Sequence, residues 1–163
     1  MNVEFSVSER IVRYDGQVSE INYQFEEFTT ETVSIGPTSK NERRSRIYQT
    51  QITRQRYDQL ADEISDALSF EDFLFVLRPF ILGHYENEQL KGAFQLLDRD
   101  QSNSIHIDEL AKFLPLVNQA ASIDTLKNYL RQGDINTEAP LSYDDFRTII
   151  LRGIGRDLIC NYI

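Results

Sequence analysis

The chain has 163 residues with 17 basic and 26 acidic side chains, a net charge of −9 and one cysteine. That length supports one domain or two small lobes with real cores. The acidic surplus argues against nucleic acid or anionic lipid as partners, and the lone cysteine excludes an internal disulfide and suits a reducing, cytoplasmic setting.

Charge is spread unevenly. Residues 1–60 hold 8 basic and 9 acidic groups, whereas 61–163 hold 9 and 17. The C-terminal part therefore favours cations and basic partner peptides. No secretory signal opens the chain, and the longest apolar run, Phe73 to Leu82, contains Arg78 and Pro79, so no membrane span is expected.

Residues 1–51 carry strand signals. Asp15-Gly16 lies between I-V-R-Y and Q-V-S-E-I, a common mark of a hairpin turn. Ile21, Tyr23 and Phe25 alternate with polar residues, as do Val33 and Ile35, and R-I-Y-Q-T-Q-I is also strand-like. G-P-T-S-K-N-E-R-R-S-R has the makeup of an exposed loop. The expectation is three or four short strands.

Residues 52–83 change texture. I-T-R-Q-R-Y-D-Q-L-A-D-E-I reads as a helix capped by Thr53, with Tyr57, Leu60, Ala61 and Ile64 facing inward. A second helix begins in L-S-F-E-D-F-L, and only Ser65 to Ala67 lie between the two.

Asp98 to Glu109 reads D-R-D-Q-S-N-S-I-H-I-D-E. Side-chain oxygens recur at every second position, and the run closes on a carboxylate. A hard cation such as Ca²⁺ takes six to eight oxygens, which a loop of this length can supply. Asp98, Asp100 and Ser102 provide the first, third and fifth ligands, Ser104 its carbonyl, His106 a water-mediated contact, and Glu109 both carboxylate oxygens. Helical apolar stripes flank the loop: Leu90, Phe94 and Leu97 before it; Leu110, Phe113, Leu114 and Val117 after it. Ile105 is placed to pair with a neighbouring loop.

Loop and flanks together resemble the EF-hand family, most closely its calmodulin and troponin C branch. One departure is Asn103, where the family has Gly; Asn is the best tolerated substitute for a left-handed backbone. The resemblance marks a second loop, D-I-N-T-E-A-P-L-S-Y-D-D, with Asp134, Asn136, Glu138, Pro140 and Asp145 as a weaker metal site. There Ala139 occupies the left-handed position and Asp145 replaces the closing Glu, so Mg²⁺ or a purely structural role competes with Ca²⁺. Residues 52–83 then become a degenerate hand with a shortened loop, in which Asp66, Glu71 and Asp72 lack ligand spacing.

The resemblance implies a mainly α chain: an EF-hand pair over 84–163, the degenerate hand over 52–83, and an N-terminal segment, 1–51, that is either a small β unit or, across Glu26 to Pro37, an eroded hand. It also implies a calcium-binding regulatory protein that grips an amphipathic target helix when Ca²⁺ is bound, with Glu109 as lever and Phe94, Phe113, Leu114, Ile149 and Ile150 as core or groove. The alternative is a calcium-insensitive structural adaptor built from degenerate hands. Two histidines and Cys160 make no catalytic set, so an enzyme is not expected. Cys160 stands fourth from the end of the sequence, but Asn161 and Tyr162 are poor aliphatic stand-ins, and lipidation is not expected.

Overall fold

Two tight turns organise the first third of the chain. Asp15 and Gly16 both take positive φ, 50° and 77°, a pairing whose twist matches that of adjoining strands. Gly36, at φ 60°, opens the second turn with Pro37. The computed structural model describes every residue but Ser65. Around these turns run β1 (Asn2–Tyr14), β2 (Gln17–Ile35) and β3 (Thr38–Thr53), an antiparallel sheet of order β1-β2-β3. A bulge between Val12 and Arg13 shifts the β1–β2 register and adds local twist.

β2 alternates as its sequence requires. Ile21, Tyr23 and Phe25 are buried on one face, opposite Ile52, Thr50 and Tyr48 of β3. At roughly 3.3 Å per residue the 19-residue β2 reaches about 60 Å. Its far end outruns the helices, and residues 34–42 are almost wholly exposed.

The helices follow in order: α1 (Arg54–Ala61), α2 (Phe70–Leu82), α3 (Asn87–Leu97), α4 (Ile107–Ala111), α5 (Leu114–Val117), α6 (Ile123–Gln132), α7 (Tyr143–Leu151) and α8 (Ile154–Ile159). Thr53 caps α1, its hydroxyl accepting from the Arg56 amide at 3.2 Å. Ser69 caps α2 in the same way, and Gly83 ends it in the left-handed conformation at φ 72°. Sheet and helices share one hydrophobic core. Glu9 fastens the two: its Oε2 accepts from the Tyr23 hydroxyl at 2.8 Å and from Arg78 Nε, on α2, at 2.9 Å. No helix among the described residues is long and apolar enough to cross a membrane.

A mainly α chain is therefore the wrong reading: about 31% of residues are strand and 41% helix. The strands are long, not short. Thr38 to Arg46, expected as loop, is the first half of β3, and Glu26 to Pro37 is no eroded hand but the end of β2 and its turn. The physical reason lies in the overhang. Where neither face is covered, a strand needs no apolar alternation, so its residues look like loop.

α8 packs unusually close to α2. A Cβ at Gly155 would lie 2.3 Å from the Phe80 carbonyl oxygen and 2.5 Å from Ile81 Cα. Alanine normally favours a helix over glycine by about 1 kcal/mol, but here backbone meets backbone. Gly155→Ala is expected to destabilise the fold by about 2 kcal/mol, lowering Tm by about 4–8 °C for a chain of this size; a thermal melt followed by circular dichroism reads it.

Candidate metal centre

The loop from Asp98 to Glu109 joins α3 to α4. Asp98 ends α3 and is only 9% exposed. Its Oδ1 accepts from the Ser102 amide at 3.0 Å and its Oδ2 from the Asn103 amide at 2.9 Å, so one carboxylate folds the turn. The Ser102 hydroxyl lies at the centre of the oxygen cluster: 2.7 Å from Asp100 Oδ1, 2.9 Å from Ser104 Oγ, 3.3 Å from Asp98 Oδ1 and 3.4 Å from the Ser104 carbonyl. Asn103 holds the left-handed backbone at φ 62°. Gln101 does so too, at φ 56°, a second left-handed position that no residue type signalled.

Donation from the Ser102 hydroxyl, and then from its amide, holds the Asp100 carboxyl below the usual carboxylate range. A lowered folded value means that this contribution is present above the unfolded pKa and is lost as pH falls through the folded one. Asp100 is exposed, so the effect is local to the loop.

Glu109 and His106 stand apart from the cluster. Glu109 Oε1 accepts from Lys112 Nζ at 3.0 Å, and His106 is the exposed residue preceding α4. Among the described residues, no three His, Cys, Asp or Glu side chains converge as a metal-holding group. The donors at the first, third, fifth and seventh loop positions fit a hard, oxygen-seeking cation; the closing carboxylate faces its own helix instead.

The second loop does not gather its donors. Asn136 Oδ1 accepts from the Glu138 amide at 2.9 Å, and Glu138 Oε1 lies 3.7 Å from Arg131. Asp145 accepts from the Ser142 amide at 3.1 Å and completes a capping box at the start of α7. Ala139 is not left-handed; Asp134, at φ 59°, is. This loop's other contribution is structural. Ile105 and Leu141 form a two-bond antiparallel bridge, with N–O distances of 2.9 and 2.7 Å, and Pro140 immediately precedes it.

Among its described residues the upstream unit has no ion geometry. Glu71 on α2 pairs with Arg54 of α1, whose hydrogen bond is the main cause that lowers its carboxyl pKa. Asp66 is left-handed at φ 57°; Ser65, part of the expected short linker, lies outside the described residues.

The apolar surface near the loop is already filled. Leu110, Phe113, Leu114 and Val117 face a void of only about 60 Å³ shared with Ile154 and Leu158 of α8. Phe94, Leu114, Ile149 and Ile150 are buried and Phe113 is half-buried. Cys160 is buried as well, and burial first, then the Glu27 charge, pushes its thiol up to about 11. Sequence reasoning missed Lys112, though its i, i+3 spacing from Glu109 was a usable signal.

No known family profile matches the chain. It is similar to calcium-binding proteins of the EF-hand kind. A 16 kDa calcium-binding protein of Schistosoma mansoni is 30% identical over 79 residues, covering 48% of this chain and 55% of that protein. A putative calmodulin-like protein of Oryza sativa subsp. japonica is 22% identical over 90 residues, 52% of this chain and 51% of its own length. A polcalcin of Juniperus oxycedrus is 33% identical over 63 residues, 39% and 38% of the two chains. The chain thus spans about half the length, or less, of these curated relatives.

Asp98→Ala should leave the Asn103 amide without its charged acceptor and the Ser102 amide with only its longer bond to Asp100 Oδ1, at 3.2 Å. The expected loss is about 2 kcal/mol, with amide exchange at residues 102 and 103 accelerating more than at Tyr57 or Ile149; hydrogen exchange read by NMR checks it.

Proposed function

We propose that this chain is a calcium-binding regulatory protein whose ion site is the loop Asp98–Glu109. The observation that carries the reading is the convergence of Asp98, Asp100 and Ser104 oxygens on the Ser102 hydroxyl, within 3.4 Å of it. The similarity to proteins described as calcium-binding supports the choice of ion. A bound Ca²⁺ would supply positive charge among Asp98, Asp100 and Glu109, which otherwise repel one another. Glu109 is the lever: to close the shell it leaves Lys112 and draws α4 toward the loop. His106 contributes through water and Ser104 through its carbonyl. The second loop, with Asp145 engaged in a cap, acts as the bridge partner of the first and holds neither Ca²⁺ nor Mg²⁺ tightly.

The target is an amphipathic helix, and the protein is a binding module, not an enzyme. α8 occupies the apolar face such a helix would use, so target binding requires Ile154 and Leu158 to give way. One observation favours the second reading, a calcium-insensitive adaptor: Glu109 and Asp145 are both engaged within their own helices.

Calorimetry separates the two. The regulatory reading expects one dominant Ca²⁺ site, weakened about tenfold or more by Glu109→Gln and almost unchanged by Glu71→Gln. Apolar-dye fluorescence should rise modestly with Ca²⁺ in the wild type and not in Glu109→Gln. Absence of binding, or equal loss in both variants, selects against the regulatory reading.

A further inference from the structure

A second site lies far from the loop. Beneath the overhanging sheet, beside α8, is a cleft of about 600 Å³. Its floor is the inner face of the sheet, where the cross-strand rows Phe5–Glu27–Arg46 and Val3–Thr29–Arg44 meet. Tyr162 stands edge-on to Phe5, with ring centroids 6.2 Å apart, and forms part of the cleft wall.

Glu27 is the unexplained residue. It lines the cleft, is 7% exposed, and its Oε2 has no hydrogen-bond partner. A buried carboxylate without a partner costs free energy that a fold does not ordinarily leave uncompensated. Two of the three cations around it are engaged, and the third, Arg46, lies cross-strand from Glu27 without an ion pair among the described residues. Arg156 donates twice to Asp157 Oδ1, at 3.1 and 3.0 Å, while its guanidinium covers Phe5 at 4.7 Å. Arg44 lies 3.7 Å from Glu42.

We propose that this cleft binds a primary ammonium carried on an apolar stem, the ammonium donating to Glu27 and the stem lying along Val3, Phe5 and Tyr162. An anion is disfavoured because Glu31 and Glu42 line the same cleft as Glu27. A bare metal ion is disfavoured because no set of ligands converges there among the described residues. An ammonium needs one good acceptor and an apolar wall, and both are present. The same chemistry comes either from a free alkylamine or from a lysyl side chain of a peptide.

The test is an amide-shift titration by NMR of the whole chain with two probes, cadaverine and Nα-acetyl-lysine methylamide. Shifts are expected at residues 3–5, 27–31 and 156–162. Glu27→Gln should weaken them at least about tenfold, the loss of one charged hydrogen bond, without lowering Tm. A response to cadaverine alone assigns a free amine; a response to the lysine derivative assigns a peptide side chain. Glu109→Gln should leave these shifts intact, so the outcome is independent of the ion site. Silence with both probes overturns the proposal. So does equal destabilisation by Glu27→Gln and Arg46→Gln, which would make the two residues each other's partner.

Discussion

Three parts of the chain meet on one aromatic ring. Tyr57 lies just beyond β3, its ring 4.5 Å from Phe73 of α2 and 6.1 Å from Phe113, which follows α4. Its hydroxyl donates to the Leu68 carbonyl at 2.6 Å, and burial pushes its phenol up to about 12. Aromatic contacts of this kind exceed their area burial by about 1 kcal/mol each. The upstream helices and the segment that follows α4 therefore share a single packing centre. Two longer contacts reinforce it: Thr50 Oγ1 donates to the Val117 carbonyl at 3.3 Å, and Arg56 to the Pro115 carbonyl at 3.4 Å. A movement of α4 reaches α1 and α2 through Phe113.

The sheet answers to a different constraint. Its proximal half is held by apolar burial and by Glu9, which binds Tyr23 and Arg78 with a single oxygen. Burial first, and Glu9 next, raise the Tyr23 phenol pKa far above its ordinary value, so the hydroxyl remains a donor throughout the physiological range. The distal half has no helix beneath it. Exposed strand edges are a liability that charge relieves, and Lys40, Glu42, Arg43, Arg44 and Arg46 of β3 supply it. The same absence of cover creates the cleft over Glu27.

These differences explain what was legible in the residues. The backbone of the loop from Asp98 was legible because fixed spacing marks its turn, and the left-handed Asn103 and the Ile105–Leu141 bridge appear where that spacing requires. Thr53 and the buried ring of Tyr57 were legible because caps and helical stripes are local signals. The length of β2 and β3 was not, because an uncovered strand carries no alternation to read. α8 escaped for another reason: its fit depends on the missing Cβ of Gly155 against the Phe80–Ile81 backbone, a contact across more than 70 residues of sequence. Asp145 was weighed as a ligand, yet Ser142 three residues earlier made a capping box an equally local alternative.

Two restraints act on the loop's exit, and their strengths differ. Glu109 and Lys112 form a half-exposed i, i+3 pair, and such pairs contribute only about 0.3–0.5 kcal/mol. A carboxylate held so weakly exchanges its partner readily, so this pair restrains Glu109 very little. α8 is held far more firmly, by backbone contact at Gly155, by Ile154 and Leu158 in the core, and by Asn118 donating to the Leu158 carbonyl at 2.9 Å. A ligand shifts only the states it binds unequally. Phe113, two residues beyond α4, connects that helix to Tyr57 and Phe73. Release of α8 would take Ile154 and Leu158 out of their apolar surroundings, a far larger cost than breaking the Glu109–Lys112 pair.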